Sequence, residues 1–557
     1  PRAVAWRQRL GVLLLGALIF LPGLGSRDLW NPDEPRYAEV AREMVESGNF
    51  LVPHLNGEVY KEKPPLQFWA IALSGLLFGG IGPAAARLPA ALAACLTMVL
   101  LADLGRRLFS LRAGWLAALV FATGVRVLWQ GRVGQIDGLL LGLVALAMYL
   151  WARGFFEGRR ELYPWFFAVT GLATVAKGPV GLLPPLLSIT VFLLISHHRS
   201  QLKDLRVGRG LLIWAVVVLA WFLPAVLVGG KAYLEAMLLK QNVTRFVEPW
   251  HHHRPWYYYL TVIPADFFPW SFLLPSALVI GWKRLTGRER LAYLWALCWF
   301  VVTVVFFSLS PGKRTVYILT MYPALALLVA AAADRLARHW PRDRRWWTVP
   351  MAILTGLLAL LAAAFPFAIR GREELALFPS WMPGAFTGLL VLLAVGALAG
   401  FLLSRRGRPA LAVMALGGAF ALGGVGAVVG LLPQFDVVKS ARPLSDLLVS
   451  EMAPGDTYAI YPRIDPTFIF YTHKHAEVLN GEDELFAYAA RRDGVWLLAE
   501  RQALAKLSRP LPMVEVARDH DGDEGYTLFR QQGAEQTGAP AKAAPEPAPD
   551  AVPDPGP

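Results

Sequence analysis

The chain has 557 residues, of which 55% are hydrophobic and 17% are charged, against the roughly 25% charged residues of a soluble globular domain. An ordinary soluble enzyme is therefore excluded. The net charge of +13 could indicate a nucleic-acid-binding protein, but Lys and Arg fall in short loops between hydrophobic runs and form no RNA-reading motif. Anionic membrane lipid is the more natural partner. The two cysteines, Cys95 and Cys298, lie inside apolar runs, which excludes a disulfide framework.

Apolar runs of about 17–24 residues recur from Leu10 to Leu432 and match the ~30 Å hydrocarbon core of a bilayer. The sequence therefore predicts a polytopic α-helical membrane protein, with a transmembrane domain over residues 1–432. We expect thirteen spans, at about 10–25, 84–105, 113–129, 138–152, 163–177, 179–196, 211–228, 266–282, 291–309, 315–334, 347–369, 385–403 and 410–431.

Seven clusters of Arg and Lys alternate along the chain with loops that are poorer in positive charge. Because positive residues mark cytoplasmic loops, we expect these clusters on the cytoplasmic side. A full crossing at Leu66–Gly80 would break the alternation, and about 15 residues is short for a span, so we interpret this segment as interfacial or re-entrant. The first run resembles a signal peptide, but no Ala-x-Ala-like cleavage site precedes Ser26, which favours a retained helix.

Two long loops, 26–83 and 229–265, and everything after Leu432 are expected on the outer side. Residues 433–530 alternate short β-like runs with helical ones and predict a small α/β domain. The β-like runs are Thr457–Tyr461, Phe468–Tyr471, Val495–Leu498 and Met513–Ala517, and a helical run is Glu484–Arg492. Residues 531–557 are rich in Ala, Pro and acidic groups, a composition that predicts disorder.

The first long loop carries two charged motifs. One is Asp33-Glu34-Pro35-Arg36-Tyr37, and the other is Glu62-Lys63 directly before Pro64-Pro65. Asp33 could simply cap a helix that Pro35 begins, and Glu62-Lys63 could be a solvated charge run.

Other outer connections also bring charge to the ends of spans. Asp137 lies at the edge of a span, where a carboxylate is costly unless it is paired or functional. Lys177 precedes Gly178-Pro179, and Lys313-Arg314 lies three residues before Tyr317. Their shared side predicts one composite polar site at the outer surface.

The loop 229–265 contains Arg245, Glu248, three consecutive histidines from His251, and Arg254. Imidazole and carboxylate groups are common zinc ligands, but consecutive histidines cannot all face one ion. An interfacial loop in the aromatic belt explains the run as a whole equally well, and leaves room for one His ligand.

The first-loop motifs, together with Ala176-Lys177-Gly178-Pro179 and Ser310-Pro311-Gly312-Lys313-Arg314, resemble the lipid-linked glycosyltransferases of the GT-C fold. Within that fold the chain looks most like the 4-amino-4-deoxy-L-arabinose transferases that modify lipid A. Protein O-mannosyltransferases share the early Asp-Glu pair, but they add a carbohydrate-binding-like domain that this sequence lacks. The resemblance implies a bacterial inner-membrane enzyme that moves aminoarabinose from undecaprenyl phosphate to a lipid A phosphate at the periplasmic face.

The resemblance also implies roles for particular residues. Asp33 matches an essential acid, and Asp137, Glu62 and Lys63 match groups that line the same cavity. Glu62 and His251 are the candidate ligands for a divalent metal such as Zn²⁺. The remaining candidates for substrate binding are Glu34, Arg36, Tyr37, Lys177, Arg245, Arg254, Lys313, Arg314 and Tyr317.

The residues alone support this chemistry in part. A leaving polyprenyl phosphate needs cations at the membrane surface, and Lys63, Arg245, Arg254, Lys313 and Arg314 can supply them. A cationic amino sugar needs carboxylate partners. A related transferase acting on another lipid or on protein remains an alternative. A lipid transporter or flippase is disfavoured because charged groups lie at span ends rather than at mid-membrane. We expect a monomer.

Overall fold

The computed structural model describes residues 2–237, 253–340, 343–491, 494–519 and 525–531. The chain divides into two compact units. The larger, called here the membrane unit, comprises the residues up to Arg27 together with Val40–His54 and Val59–Gln434. The smaller, called the C-terminal unit, comprises Asp28–Glu39, Leu55–Glu58 and the described residues from Phe435 onward.

Long apolar helices build the membrane unit and confirm the polytopic class. Within the described ranges, nine helices are long and apolar enough to cross a bilayer, and each overlaps one predicted span. They are Ala3–Phe20, Pro83–Leu108, Ile136–Phe156, Gln201–Glu235, Gly287–Leu309, Thr315–His339, Arg345–Ala368, Met382–Arg405 and Pro409–Lys439.

The other four predicted spans are not single long helices. The run 113–129 is divided at Gly124 into helices Leu111–Thr123 and Val125–Gln130. The runs 163–177 and 179–196 form a pair of helices bent by 80°. The run 266–282 is preceded by helix Tyr258–Asp266 and is helical mainly over Leu274–Arg284. Breaks at Gly and Pro explain the difference, because apolar composition predicts a run but not its continuity.

The bent pair consists of helix Tyr163–Lys177 and helix Leu183–Ile195, joined by the 3₁₀ turn Gly178–Gly181. Gly178 has a φ of 77°, a backbone conformation that glycine adopts without steric cost, and Pro179 cannot donate the next helical hydrogen bond. Lys177 is therefore placed at a sharp break between two helices.

The short helix Leu66–Phe78 was predicted to be interfacial or re-entrant. Its 13 residues span only about 20 Å, less than the hydrocarbon core. Leu76 and Leu77 near its end are 78% and 75% exposed, which suits contact with lipid. Its place relative to a bilayer stays a prediction.

The C-terminal unit contains a five-stranded mixed sheet, and a two-stranded hairpin, β1 (His54–Leu55) and β2 (Glu58–Val59), lies in the first long loop. The sheet consists of β3 (Thr457–Tyr461), β4 (Glu477–Val478), β5 (Val495–Glu500), β6 (Met513–Arg518) and β7 (Tyr526–Gln531). Its order is β4-β3-β5-β7-β6, with β3 parallel to β4 and β5, and β7 antiparallel to its neighbours.

Three of the four predicted strands are confirmed, and so is a small α/β architecture. The fourth is wrong, because Phe468–Tyr471 lies within helix Pro466–Thr472. Asp465 caps this helix and Pro466 occupies its first position, a start signal that outweighs a four-residue apolar run. The predicted helix Glu484–Arg492 is found at Glu482–Ala489.

The remaining helices are short. They are Asp33–Ser47 in the first long loop, and Arg442–Glu451 and Arg501–Leu504 in the C-terminal unit. Two of the long apolar stretches are composite. Gln201–Glu235 consists of the helices Gln201–Asp204 and Val207–Glu235, and Pro409–Lys439 begins with helix Pro409–Gly426 and ends with helix Asp436–Lys439. The predicted disordered tail lies, after Gln531, outside the described residues.

Candidate active site

Asp137 and Lys177 form an ion pair at one end of the membrane unit. Asp137 is the second residue of helix Ile136–Phe156, and Lys177 is the last residue of its helix. The Lys177 ammonium donates a hydrogen bond to Asp137 Oδ1, and the two side chains are 16% and 11% exposed. Charges at the edge of a membrane domain are tolerated when they pair in this way. Two separately predicted site residues thus meet.

Tyr317 is the third predicted residue at this point. The Lys177 Nζ atom lies 4.8 Å from the centroid of the Tyr317 ring, close enough for a cation–π interaction. Lys177 is therefore held both by a carboxylate and by an aromatic face, and its position does not depend on a bound substrate.

The Lys313 side chain joins two of the predicted outer loops. Its Nζ donates to the carbonyl oxygens of Arg254 and Ser310, at 3.1 and 2.5 Å, and the backbone N–H of Arg254 donates to the Pro311 carbonyl at 3.1 Å. Lys313 is 3% exposed, and burial lowers its pKa below the usual value. The observed contacts of Lys313 stabilise the loops, and its role in substrate binding stays a prediction.

Tyr259 adds a contact that the sequence did not reveal. Its buried hydroxyl donates to the Arg314 carbonyl at 3.3 Å, and burial raises its pKa above the usual value, so the hydroxyl stays protonated. Tyr259 lies in the loop 229–265, which the sequence assigned to the aromatic belt, and Tyr257 in the same loop is indeed 48% exposed. Tyr259 and Tyr257 differ in their burial, which the sequence alone does not report.

Arg126 and Asp266 form a second paired site that the sequence analysis missed. The Arg126 guanidinium donates two hydrogen bonds to the Asp266 carboxylate, at 2.8 and 2.7 Å, and the Tyr322 hydroxyl donates to the same carboxylate at 3.2 Å. Such a two-pronged bond fixes geometry as well as charge. It fastens the broken helix after Gly124 to the segment that carries Tyr259. Arg126 lies inside the apolar run 113–129, and a charge at such a position is the feature of the sequence that could have indicated this pair.

The segment with Glu62 and Lys63 lies close to the helix that ends at Lys177. Leu66 and Trp69 pack in one hydrophobic cluster with Val175, two residues before Lys177. Glu62 is exposed and Lys63 is half-buried, and the Tyr60 hydroxyl donates to Glu62 at 3.5 Å. Packing thus brings the second charged motif of the first loop toward the Asp137–Lys177 pair.

The first charged motif belongs to the C-terminal unit. Asp33 and Glu34 occupy the first turn of helix Asp33–Ser47 and are 7% and 2% exposed. The Trp30 backbone N–H donates to the Glu34 carboxylate at 3.3 Å, and first-turn carboxylates are favoured by the helix dipole. Arg36 is half-buried and Tyr37 is buried. The position of Asp33 stabilises the helix, and its role in catalysis and its place in one site with Asp137 stay predictions.

The segment just before Asp33 is bonded by side chains from the end of the chain. Asp436 accepts hydrogen bonds from the Asp28 backbone at 3.0 Å and from the Trp30 indole at 2.7 Å. Asp465 accepts one from the Asn31 amide at 2.8 Å. The Tyr471 hydroxyl accepts one from the Leu29 backbone at 2.8 Å. Side chains of the predicted α/β domain therefore hold the segment directly before the Asp33-Glu34 motif, a role that the sequence did not show.

Two of the predicted residues, Arg245 and His251, lie outside the described residues. Among the residues that the structure describes, no group of three or more His, Cys, Asp and Glu side chains is close enough to hold a metal ion. A metal bound by Glu62 and His251 therefore stays a prediction.

Comparison with known proteins assigns this architecture to a family. Residues 62–227 match the family model of the dolichyl-phosphate-mannose-protein mannosyltransferases. An undecaprenyl phosphate-α-4-amino-4-deoxy-L-arabinose arabinosyl transferase of Aeromonas salmonicida is 30% identical over 396 residues, which cover 69% of this chain and 70% of the relative. The chain belongs to this family of arabinosyl transferases. It is accordingly a multi-pass membrane protein of the GT-C type, as the sequence motifs predicted.

A second relative and two solved structures agree. The corresponding transferase of Proteus mirabilis is 30% identical over 367 residues, and the chain spans 65% of its length, just under two thirds. ArnT from Cupriavidus metallidurans in the apo state shares the fold, with a TM-score of 0.78 and 22% identity over 95% of this chain and 98% of that one. The same protein bound to undecaprenyl phosphate gives a TM-score of 0.77.

Proposed function

We propose that this chain transfers 4-amino-4-deoxy-L-arabinose from undecaprenyl phosphate to a phosphate group of lipid A, at the periplasmic face of the bacterial inner membrane. Membership of the arabinosyl transferase family carries the proposal. The Asp137–Lys177–Tyr317 arrangement supports it, because it places a cation and a carboxylate together at the end of a membrane-embedded helix bundle.

In this reaction an oxygen of the lipid A phosphate attacks the anomeric carbon of the sugar. The bond between that carbon and the undecaprenyl phosphate oxygen breaks, and undecaprenyl phosphate leaves with the bonding electrons. Negative charge therefore develops on the leaving phosphate, where fixed cations such as Lys177 and Lys63 lower the barrier. Because Lys177 is already oriented by Asp137 and Tyr317, little reorganisation is needed when that charge appears.

The carboxylates of the candidate site act on the sugar rather than on the leaving phosphate. A phosphate monoester is largely ionised near pH 7, since its second pKa is about 6, so the acceptor needs no strong base. Asp33, Glu62 and Asp137 then orient the cationic amino group of the sugar or stabilise positive charge at its anomeric carbon. A hydroxyl acceptor would instead require one of them to remove a proton.

Mass spectrometry of lipid A tests the proposal directly. Cells that express the chain should add aminoarabinose to lipid A phosphate, and cells with the Asp137→Asn variant at equal expression should not. Unmodified lipid A in cells with active, correctly folded protein would reject the proposed acceptor.

A related transferase that glycosylates protein is the second candidate, because residues 62–227 match a family model of protein mannosyltransferases. Glycopeptide analysis of the same cells separates the two. Sugar on protein with unmodified lipid A would favour this second function.

A further inference from the structure

A cavity of about 290 Å³ lies at the other end of helix Tyr163–Lys177 from the candidate active site. It is lined by the turn Arg160–Leu162, the first turns of that helix and the start of helix Val207–Glu235. The 15 residues of helix Tyr163–Lys177 separate its two ends by about 21 Å. The cavity therefore opens toward the membrane surface opposite the Asp137–Lys177 pair.

The floor of the cavity is apolar and rigid. The rings of Tyr163 and Phe167 are 3% and 0% exposed, and Leu205 is 3% exposed. At Gly210 an added Cβ atom would lie 2.1 Å from the Phe167 ring, so the two helices meet at a distance that only glycine permits. Close packing of this kind fixes the shape of the floor.

The rim of the cavity carries an unbalanced positive charge. Both of its carboxylates already have partners, because Asp204 pairs with Arg160 at 3.0 Å and Glu161 pairs with Arg159 at 2.8 Å. Arg206 and Arg209 also line the rim and are exposed. Within the described part of the chain, neither forms an ion pair. Two guanidinium groups are thus available for an external anion.

Exposed apolar side chains near the cavity indicate that such an anion belongs to a membrane lipid. Trp165 is 63% exposed and Leu212 is 64% exposed, and both lie near the start of the helices that line the cavity. Large apolar side chains exposed on a membrane domain face lipid, and Trp is enriched at the level of the headgroups. The mouth of the cavity therefore lies at headgroup level.

We propose that this cavity binds the headgroup of an anionic phospholipid, with the phosphate between Arg206 and Arg209 and the first acyl carbons over the apolar floor. Guanidinium groups bind phosphate in a planar, two-pronged geometry, and basic pockets between membrane helices suit anionic headgroups. Inorganic phosphate shares the charge chemistry, but it has no apolar part for the floor. The proposal is independent of the sugar and acceptor proposed above.

Native mass spectrometry of the purified full-length protein in detergent tests the site. Titration with short-chain phosphatidylglycerol should give tighter binding than phosphatidylcholine. The double variant Arg206→Gln/Arg209→Gln should bind phosphatidylglycerol about tenfold more weakly or worse, as expected for lost charge-assisted hydrogen bonds, and should bind phosphatidylcholine unchanged. Arg206→Lys/Arg209→Lys keeps the charge and loses the two-pronged geometry, so its preference should lie between those of the wild type and the double glutamine variant.

A matched control is Arg344→Gln/Arg345→Gln, which removes two exposed arginines at the start of helix Arg345–Ala368, away from the cavity lining, and should leave the preference intact. Equal binding of the two lipids would overturn the proposal. So would an undiminished preference in the Arg206/Arg209 double glutamine variant. Displacement of phosphatidylglycerol by inorganic phosphate at equal concentration would show a free-anion site and would overturn the lipid assignment.

Discussion

At the scale of single residues, two lysines that the sequence treated alike differ in their surroundings. Lys177 bonds a carboxylate and faces an aromatic ring, whereas Lys313 bonds two backbone carbonyls. A side chain that bonds backbone holds loops in place, and one that pairs with a carboxylate at a helix break can also face a ligand. The structure thus separates a candidate for binding from a candidate for folding.

We predict that Lys177→Met abolishes transfer, with a loss of about a hundredfold or more, as for removal of a group that stabilises developing charge. It should also lower thermal stability, because Asp137 is then left without its partner. The double variant Asp137→Asn/Lys177→Met should regain stability without regaining transfer. Thermal unfolding and transfer assays on purified protein measure both effects, and recovery of transfer in the double variant would contradict the assigned role.

Lys313→Met is the comparison for Lys177. It removes two hydrogen bonds to backbone and should lower stability by about 1–3 kcal/mol, with transfer per folded molecule reduced less than in Lys177→Met. A stable Lys313→Met protein without activity would show instead that Lys313 binds substrate.

Asp33 provides a third test at this scale. Asp33 lies in the first turn of its helix, where the helix dipole favours a carboxylate by about 0.3–1 kcal/mol, so Asp33→Asn should lower the free energy of unfolding by no more than about 1 kcal/mol if Asp33 only stabilises the helix. We expect stability to be kept and transfer to fall by about a hundredfold, as measured on purified protein. Near-normal transfer would assign Asp33 to helix stabilisation alone.

At the scale of elements, the C-terminal unit holds the segment before Asp33 through Asp465. Asp465 is buried and accepts hydrogen bonds from Asn31 and from the first turn of its own helix. Burial raises its pKa above the usual value. A carboxyl group with a raised pKa in the folded state contributes stability below its unfolded pKa, and this contribution is lost as the pH rises through the folded pKa.

We predict that Asp465→Ala lowers the free energy of unfolding by about 1–3 kcal/mol, because the Asn31 amide and the Thr467 backbone N–H lose their acceptor. Transfer should fall as well, since the segment before Asp33 is then held less firmly. Asp465→Asn should restore most of the transfer, because the Asn31 amide can turn to present its oxygen. The asparagine variant should also lose the pH-dependent decrease in stability. Asp446→Ala, at a side chain that is 63% exposed, is the control. Equal loss in Asp446→Ala would remove any special role for Asp465.

The positions of helices and strands could be predicted from the sequence where local composition and turn residues determine them. The strand Thr457–Tyr461 was predicted with the observed bounds, because its apolar run is framed by turn residues. The helix Pro466–Thr472 was missed, since a short apolar run does not distinguish strand from helix. Breaks at Gly124 and Gly178 depend on local backbone geometry, and apolar composition does not report it.

Some features of the candidate site could also be predicted from the sequence, and others could not. The sequence predicted one composite polar site that includes Asp137 and Lys177, because both lie at the outer ends of predicted spans and charges there need partners, but it did not predict their ion pair. The contacts of Asp436, Asp465 and Tyr471 with the first loop were not predicted. They join residues some 400 positions apart, and no spacing rule relates such distant segments.

At the scale of the whole molecule, the alternation of positive clusters predicts that the first long loop and the C-terminal unit share one side of the membrane. Ser26 and Ser450 are both exposed, and the native Cys95 and Cys298 are buried. Single cysteines introduced at positions 26 and 450 should therefore both react with an impermeant thiol reagent from outside the cell. Reaction at one and protection at the other would contradict the predicted topology.

The bonds between the two ends of the chain also set an order of events during synthesis. Leu29 emerges from the ribosome early, but Tyr471, which accepts its backbone N–H, follows 442 residues later. At about 5–20 residues per second, the two are separated by roughly 20 to 90 seconds. Throughout that interval residues 28–31 lack the side chains that bond them, so this segment reaches its final form only after all nine long apolar helices of the described chain have been synthesised.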